Sequence, residues 1–290
     1  MTRLKVTPRT LADHYKSGTR RLSGMIPRVP PRPSAEDIHD LRVTIRRIQM
    51  MSRLLPKRIR NSEGFQEFSL QSKSFMKSTS LIRDIDTLTQ TLESLNSRFP
   101  DEFLVSLKNE RSDAAVAAGI ALRKLAESQP PILDSSDLAP RKLSKMLRRQ
   151  VKRVRRSMEE SIAASLNDET DVESLHTLRK KVKRLRYLLE LSDNPSAELG
   201  VTDKWQDELG AIHDFDVAIN YLLTREPSMS VRSKVVELRR RRHQAYSSFS
   251  RGSRRDVSKA SWNVSLEGGN TQAAKASTGK NRNSISHVAE

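Results

Sequence analysis

Apolar residues recur every three or four positions, almost without interruption, from residue 8 to residue 249. This helical period limits the possible folds more than any other feature of the chain. Strand-like alternation is rare, and Val, Ile and Thr do not gather into short runs. Prolines and polar breaks divide the periodic stretch into helices at about 8–24, 35–55, 65–96, 100–127, 140–166, 171–191, 198–224 and 229–249. Pro27, Pro30, Pro31 and Pro33 separate the first two, and Pro140 opens the long middle helix, where a first-turn proline is tolerated. Beyond Phe249 the chain turns to Ser, Gly, Asn and Lys, which predicts a disordered tail over 250–290. Trp262 is the one residue of that tail suited to docking on something.

The periodic stretch repeats itself. Ile38-His39-Asp40-Leu41-Arg42-Val43-Thr44-Ile45-Arg46-Arg47 is answered, 137 residues later, by Leu175-His176-Thr177-Leu178-Arg179-Lys180-Lys181-Val182-Lys183-Arg184. Leu81-Ile82-Arg83-Asp84-Ile85-Asp86 is answered, 130 residues later, by Ala211-Ile212-His213-Asp214-Phe215-Asp216. Two motifs recurring in one order, with only loop lengths changed, predict two similar helical bundles related by a pseudo-twofold axis. The repeats span about 8–127 and 140–249, within one helical domain over 8–249.

The charge balance is lopsided: 53 Lys and Arg against 35 Asp and Glu, a net charge of +18. An excess of this size calls for a polyanionic partner. On a helical wheel His39, Arg42, Arg46 and Arg53 share one narrow sector, next to the apolar sector of Ile38, Leu41, Ile45, Ile48 and Leu55. His176, Arg179, Lys183 and Arg186 form the matching line beside Leu175, Leu178, Val182, Leu185 and Leu189, while Arg47 and Arg184 point elsewhere. In the middle helix Arg141, Lys145, Arg148, Lys152 and Arg155 run beside Leu143, Leu147, Val151, Val154 and Met158. Cations stacked on one face repel each other. Three helices carrying them next to their buried faces predict a shared channel lined with Arg and Lys.

A polymer of phosphates suits such a channel, because Arg offers a bidentate fork and Lys a compact point charge to phosphate oxygens. Readers of single-stranded nucleic acid stack bases on aromatics. Aromatics are only 4% of this chain, and Tyr187 alone lies close to a stripe. No zinc finger, aromatic RNP-type strand or GXXG loop is present. A nucleic-acid-binding protein using the same cations remains the main alternative, and a polyphosphate or triphosphate hydrolase a weaker one. His39 and His176, set among arginines, tend towards the neutral form at pH 7, and phosphate contact or a structural hydrogen bond are both open to them. The Asp84/Asp86 and Asp214/Asp216 pairs are suited to holding Arg side chains by ion pairs rather than to binding a metal. With no Cys, no P-loop spacing and no HExxH pattern, Cys-based sites, nucleotidases and zincins have no footing. No stretch approaches the roughly 18 apolar residues that span a bilayer, and Met1–Thr10 lacks the apolar core of a signal peptide. A cytoplasmic protein without membrane insertion is expected.

These residues resemble the CHAD family, the "conserved histidine α-helical domain". The likeness rests on His39-x-x-Arg42-Val43-x-x-Arg46-Arg47 and on His176-x-x-Arg179-x-x-x-Lys183-Arg184-Leu185-Arg186-Tyr187. Arg83-Asp84-Ile85-Asp86 and Gln206-Asp207-x-Leu209-Gly210-x-x-His213-Asp214-x-Asp216 reinforce it, and the ordered set covers about 8–249. The resemblance implies two four-helix bundles with pseudo-twofold symmetry around a basic central channel that binds inorganic polyphosphate. It also implies an association with polyphosphate granules or with polyphosphate-metabolising and triphosphate-tunnel enzymes. Departures are Gln49 where the second copy has Arg186, Lys183 where the first has Arg46, and Arg83 in the place of His213. The Gln49 departure removes a cation from the first half and predicts an asymmetric channel. Together these readings give a polyphosphate-binding protein with no catalytic activity and no cofactor. His39, Arg42, Arg46, Arg53, His176, Arg179, Lys183 and Arg186 line its channel, and Lys145, Arg148, Lys152 and Arg155 extend it.

Overall fold

The computed structural model describes residues 4–30, 32–95, 99, 101–128, 130–194, 196–224, 229–262 and 264, and the described regular structure is helical throughout. In chain order the helices are α1 (Pro8–Met25), α2 (Ala35–Ser52), α3 (Lys57–Arg60), α4 (Glu63–Ser78), α5 (Ser80–Glu93), α6 (Asp101–Glu127), α7 (Pro140–Asn167), α8 (Val172–Leu189), α9 (Ala197–Thr224) and α10 (Met229–Lys259). Among the described residues no helix is long and apolar enough to cross a membrane.

Local chemistry sets the helix starts. Thr7 caps α1 through the Thr10 amide, with Pro8 in the first turn. Ser34 and Asp37 form a reciprocal capping box on α2. Asp171 accepts from the Ser174 amide at the head of α8. Each cap satisfies amides that the helix itself leaves without partners.

The helices pack as two bundles. In the first, α1 lies on α2, α2 on α4 and α5, and both of those on α6. In the second, α7 lies on α8, α8 on α9, and α9 on α10. The halves meet where α2 touches α8 and where α5 touches α9, so the helices bearing the repeated motifs form the seam. A single apolar core crosses that seam, from Leu11 and Tyr15 on α1 to Trp205 on α9 and Phe249 on α10. A smaller core of Ile85, Leu88, Leu222 and Leu238 closes the α5–α9 end.

Two expectations need correction. The helix predicted over 65–96 is broken in two at Thr79. Three successive hydroxyls turn back on the backbone there: Ser78 and Thr79 donate to the Phe75 carbonyl at 3.0 and 2.7 Å, and Ser80 to that of Met76 at 3.0 Å. Side chains that compete for backbone carbonyls in this way bend or end helices.

The expected disordered tail also begins too early. α10 continues to Lys259, and Trp262 is buried against Trp205, edge to face with ring centroids 4.9 Å apart. The Trp262 indole N–H donates to Glu198 at 2.8 Å. Phe249, Ser253 and Val257, spaced by four, are the buried stripe of this last stretch. A search for large apolar residues passes over a stripe that includes a serine. Residues 263 and 265–290 of the expected tail lie outside the described residues.

Candidate functional site

The α2 and α8 stripes converge at the seam. Arg46 and Lys183, equivalent positions in the two repeats, act on each other there, and Arg179, Arg83 and Asp214 surround Lys183. Arg42 stands beside Arg46, Arg83 and Asp84. His176 and His213 stack at 4.8 Å with their rings 29° apart, and Arg179 and Lys183 both act on His213. His39 is exposed at the edge, within reach of Arg83, Lys183 and Arg46. The cluster thus draws on α2, α5, α8 and α9.

The two Asp-x-Asp motifs divide their work identically in both halves. The second carboxylate of each braces its own bundle. Asp86 accepts from Arg111 of α6 at 2.6 Å, and Asp216 from Arg242 of α10 at 2.5 Å. The first carboxylate, Asp84 or Asp214, faces the cations. The expected ion-pairing role is therefore visible in Asp86 and Asp216.

Charge is poorly balanced at the seam. Arg42, Arg46, Arg83, Arg179 and Lys183 are five cations that share two carboxylates, the exposed Asp84 and the partly buried Asp214. Among the described residues, Arg46, Arg83, Arg179 and Lys183 reach no carboxylate closely enough for an ion pair. Burial, followed by the neighbouring Arg179 and Arg46, pushes the Lys183 ammonium down to about 7. Burial and Arg46 bring the Arg42 guanidinium down to about 10. Burial and Arg179 bring the His213 imidazole down to about 3, and His39 and His176 are lowered chiefly by burial too. The Nε of Arg179 and the Nδ1 of His176 are buried without a hydrogen-bond partner. Cations partly stripped of water, crowded together and, Arg42 apart, short of acceptors are unfavourable in the free protein. Oxyanions placed among them would relieve all three costs.

Arg42 also has a structural task. Its Nη1 donates to the Met76 carbonyl and to the Thr79 hydroxyl, both at 2.7 Å, which closes the break between α4 and α5.

The remaining residues expected at the site are placed differently. Arg186 is held by Asp203, by Glu190 at 2.7 Å and by Gln206 at 3.3 Å, so its charge is already matched. Gln49 in the equivalent position therefore costs the first half no free cation, and the asymmetry expected from it does not arise that way. Arg155 is paired bidentately with Glu198, its Nε at 2.7 Å from Oε1. Lys145, Arg148 and Lys152 do not join the seam. The apolar stripe of α7 is buried in its packing on α8, so the cations beside it emerge on the outer face. There Arg148 donates to the Leu4 carbonyl at 3.4 Å, and Arg148, Lys152 and Arg155 line a cleft with Lys259. Arg53 caps the C-terminal end of α2 and acts on Arg184 of α8, as does Arg153 of α7.

The sequence reading left Arg83, Lys180 and His213 out of the site. Lys180 acts on both His176 and His213. Arg83 and His213 stand at equivalent positions of the second repeated motif, which was the available signal for both.

No curated protein matches the chain. A crystal structure of the CHAD domain from the plant Ricinus communis shares its fold, with a TM-score of 0.52 and 19% identity over 84% of this chain and 89% of that one. The CHAD domain family model matches residues 26–223, a span that takes in both repeated motifs and the whole seam between them, and on this ground the chain belongs to the CHAD domain family.

Proposed function

We propose that this protein binds inorganic polyphosphate at the α2–α8 seam and does no chemistry on it. The observation that carries the reading is the crowd of five cations that includes Lys183, three carboxylates short of balance even before counting the unpartnered Arg179 Nε. Phosphate oxygens supply both the missing acceptors and the missing charge. The side chains named here include no Phe, Tyr or Trp, so the reading rests on phosphate contacts rather than on stacked bases. Burial and the neighbouring cations lower His176 and His213 below the usual imidazole value, so in the free protein the stacked pair is not a charged proton donor. A binder of this kind would work by recruitment in the cytoplasm, to polyphosphate granules or to enzymes that make or consume the polymer.

The Lys183 ammonium provides a test. In the free protein it is largely neutral above about pH 7, against an ordinary value of 10.5. Bound phosphate favours the charged form and draws the value back up. Binding between those limits therefore takes up a proton, and affinity falls as pH rises from 7 towards 10, by up to about tenfold per pH unit. Titration calorimetry with long-chain polyphosphate in two buffers of different ionisation enthalpy measures that uptake directly. Lys183→Arg should bind as well at pH 7 and lose this part of the pH slope. Equal proton uptake by wild type and Lys183→Arg would place the ligand away from the seam.

A further inference from the structure

Arg46 and Arg47 are neighbours in sequence but about 100° apart around α2, so Arg47 turns away from the seam that Arg46 enters. Its Nε lies 3.8 Å from Oε2 of Glu190, the residue that caps the end of α8, while Glu190 Oε1 is held by Arg186 at 2.7 Å. Among the described residues Arg47 has no closer acceptor. The repeat offset of 137 residues relates this pair to Arg184 and Arg53. One side of the α2–α8 contact therefore sets a cation beside a carboxylate, where the other sets cation beside cation.

On the balanced side a cavity of about 310 Å³ opens between α1, α2 and the end of α8. Its inner wall is buried and mostly apolar: Thr44, Met50, Met51, Tyr187 and Leu191. Gly18 lets α1 lie close to α2 here, since a β-carbon would stand 3.2 Å from Ile48 Cγ1 and 3.4 Å from Met51 Cε. The Thr44 hydroxyl has only the Met25 thioether, 3.9 Å away, to donate to, and sulfur is a weak acceptor. His14, Arg21 and Arg47 stand exposed at the mouth, with Arg21 held by Asp40 at 2.8 Å. A concave apolar space of this size, with a few polar groups converging on it, is the usual form of a small-molecule site.

We infer that this cavity binds a small aromatic carboxylate, its ring system against Met50, Met51 and Tyr187 and its carboxylate at Arg47. The wall selects the body of the ligand. Methionine sulfur and a tyrosine ring both favour flat aromatic partners, and the flexible methionines adapt to their outline. The mouth selects the charge. Arg21 and Arg47 each have a carboxylate neighbour, so the site suits a single negative charge and has no surplus of cations for a phosphate chain. The Arg47 fork meets a carboxylate bidentately, and His14, one turn before Gly18 on α1, offers a further donor. Nothing in this assignment depends on polyphosphate binding at the seam.

Titration calorimetry of 2-naphthoate, and of the uncharged 2-naphthylmethanol, into the full chain tests the proposal. Wild type should bind 2-naphthoate saturably, and excess tripolyphosphate should leave that binding in place. Arg47→Gln should weaken 2-naphthoate by about tenfold or more and the alcohol by less than about twofold, because only the acid uses the guanidinium. The Arg47 side chain is 47% exposed, so this variant should keep its fold. Ser17→Trp sets an indole into the cavity from an exposed position on α1 and should weaken both ligands by about tenfold or more. Absence of binding to wild type, displacement by tripolyphosphate, equal effects of Arg47→Gln on acid and alcohol, or full affinity in Ser17→Trp would each overturn the site.

Discussion

Replacing Arg179 by Gln together with Lys183 by Met should weaken polyphosphate binding at least roughly a hundredfold and leave the fold as stable as before or more so. Hydrogen bonds to charged groups contribute about 1.5–3 kcal/mol each, so losing two costs about 3 kcal/mol or more. The free protein loses little, because Arg179 Nε has no partner and Lys183 is crowded by Arg179 and Arg46. Gln and Met preserve bulk, which avoids the cavity that alanine would leave. Arg42 suits this experiment less well despite its place in the cluster, because its loss would leave the Met76 carbonyl and Thr79 hydroxyl unmatched at the α4–α5 break. Binding isotherms alongside thermal melts separate the two effects. Unchanged affinity in a folded double variant would remove the seam as the binding site.

The paired carboxylates should respond in opposite directions. Asp216→Asn should destabilise the fold by about 3 kcal/mol, because removing the nearer of its two carboxylates leaves the buried Arg242 charge only partly matched. The Arg242 side chain is only 9% exposed and pairs with Asp216 at 2.5 Å, with Glu169 at 3.3 Å as its remaining carboxylate. For a domain of this size that loss corresponds to a fall in Tm of about 6–12 °C. Asp214, two residues earlier, braces nothing in this way and instead offsets the cations Arg179, Arg83 and Lys183. Asp214→Asn should therefore spare most of the stability and tighten polyphosphate binding. Thermal melts and isotherms on the two single variants check the contrast. A larger loss of Tm in Asp214→Asn than in Asp216→Asn would contradict the division of labour between the two positions.

The seam was legible in the sequence because its evidence is periodic and repeated. A three-to-four spacing fixes which face of a helix carries His39, Arg42 and Arg46, and the copy at His176, Arg179 and Lys183 implies that the two faces are related. Spacing does not reveal what another helix brings to that face. Arg186 and Arg155 look identical in pattern to Arg179, yet Asp203 and Glu198, 17 and 43 residues further along, neutralise them. The α7 stripe failed to join the seam for a related reason: burying its apolar neighbours on α8 turned the cations outward. The break at Thr79 and the extension of α10 both turn on hydroxyl residues, Ser78, Thr79, Ser80 and Ser253, whose helical roles depend on local carbonyls and on tertiary packing. Arg83 and His213 were present in a recognised repeat, and only the packing of α5 on α9 shows that they share one site.

The central claim is that the seam is built for a phosphate polymer rather than for polyanions at large. The most direct measurement is a competition titration at near-physiological salt, in which labelled long-chain polyphosphate bound to the full chain is challenged with single-stranded RNA and with duplex DNA at matched phosphate concentration. The account predicts that polyphosphate stays bound, because its oxygens enter among Arg46, Arg179 and Lys183 while sugars and bases hold nucleic acids off. Displacement by RNA or DNA at equal phosphate would contradict it and reduce the seam to one part of a generally basic surface.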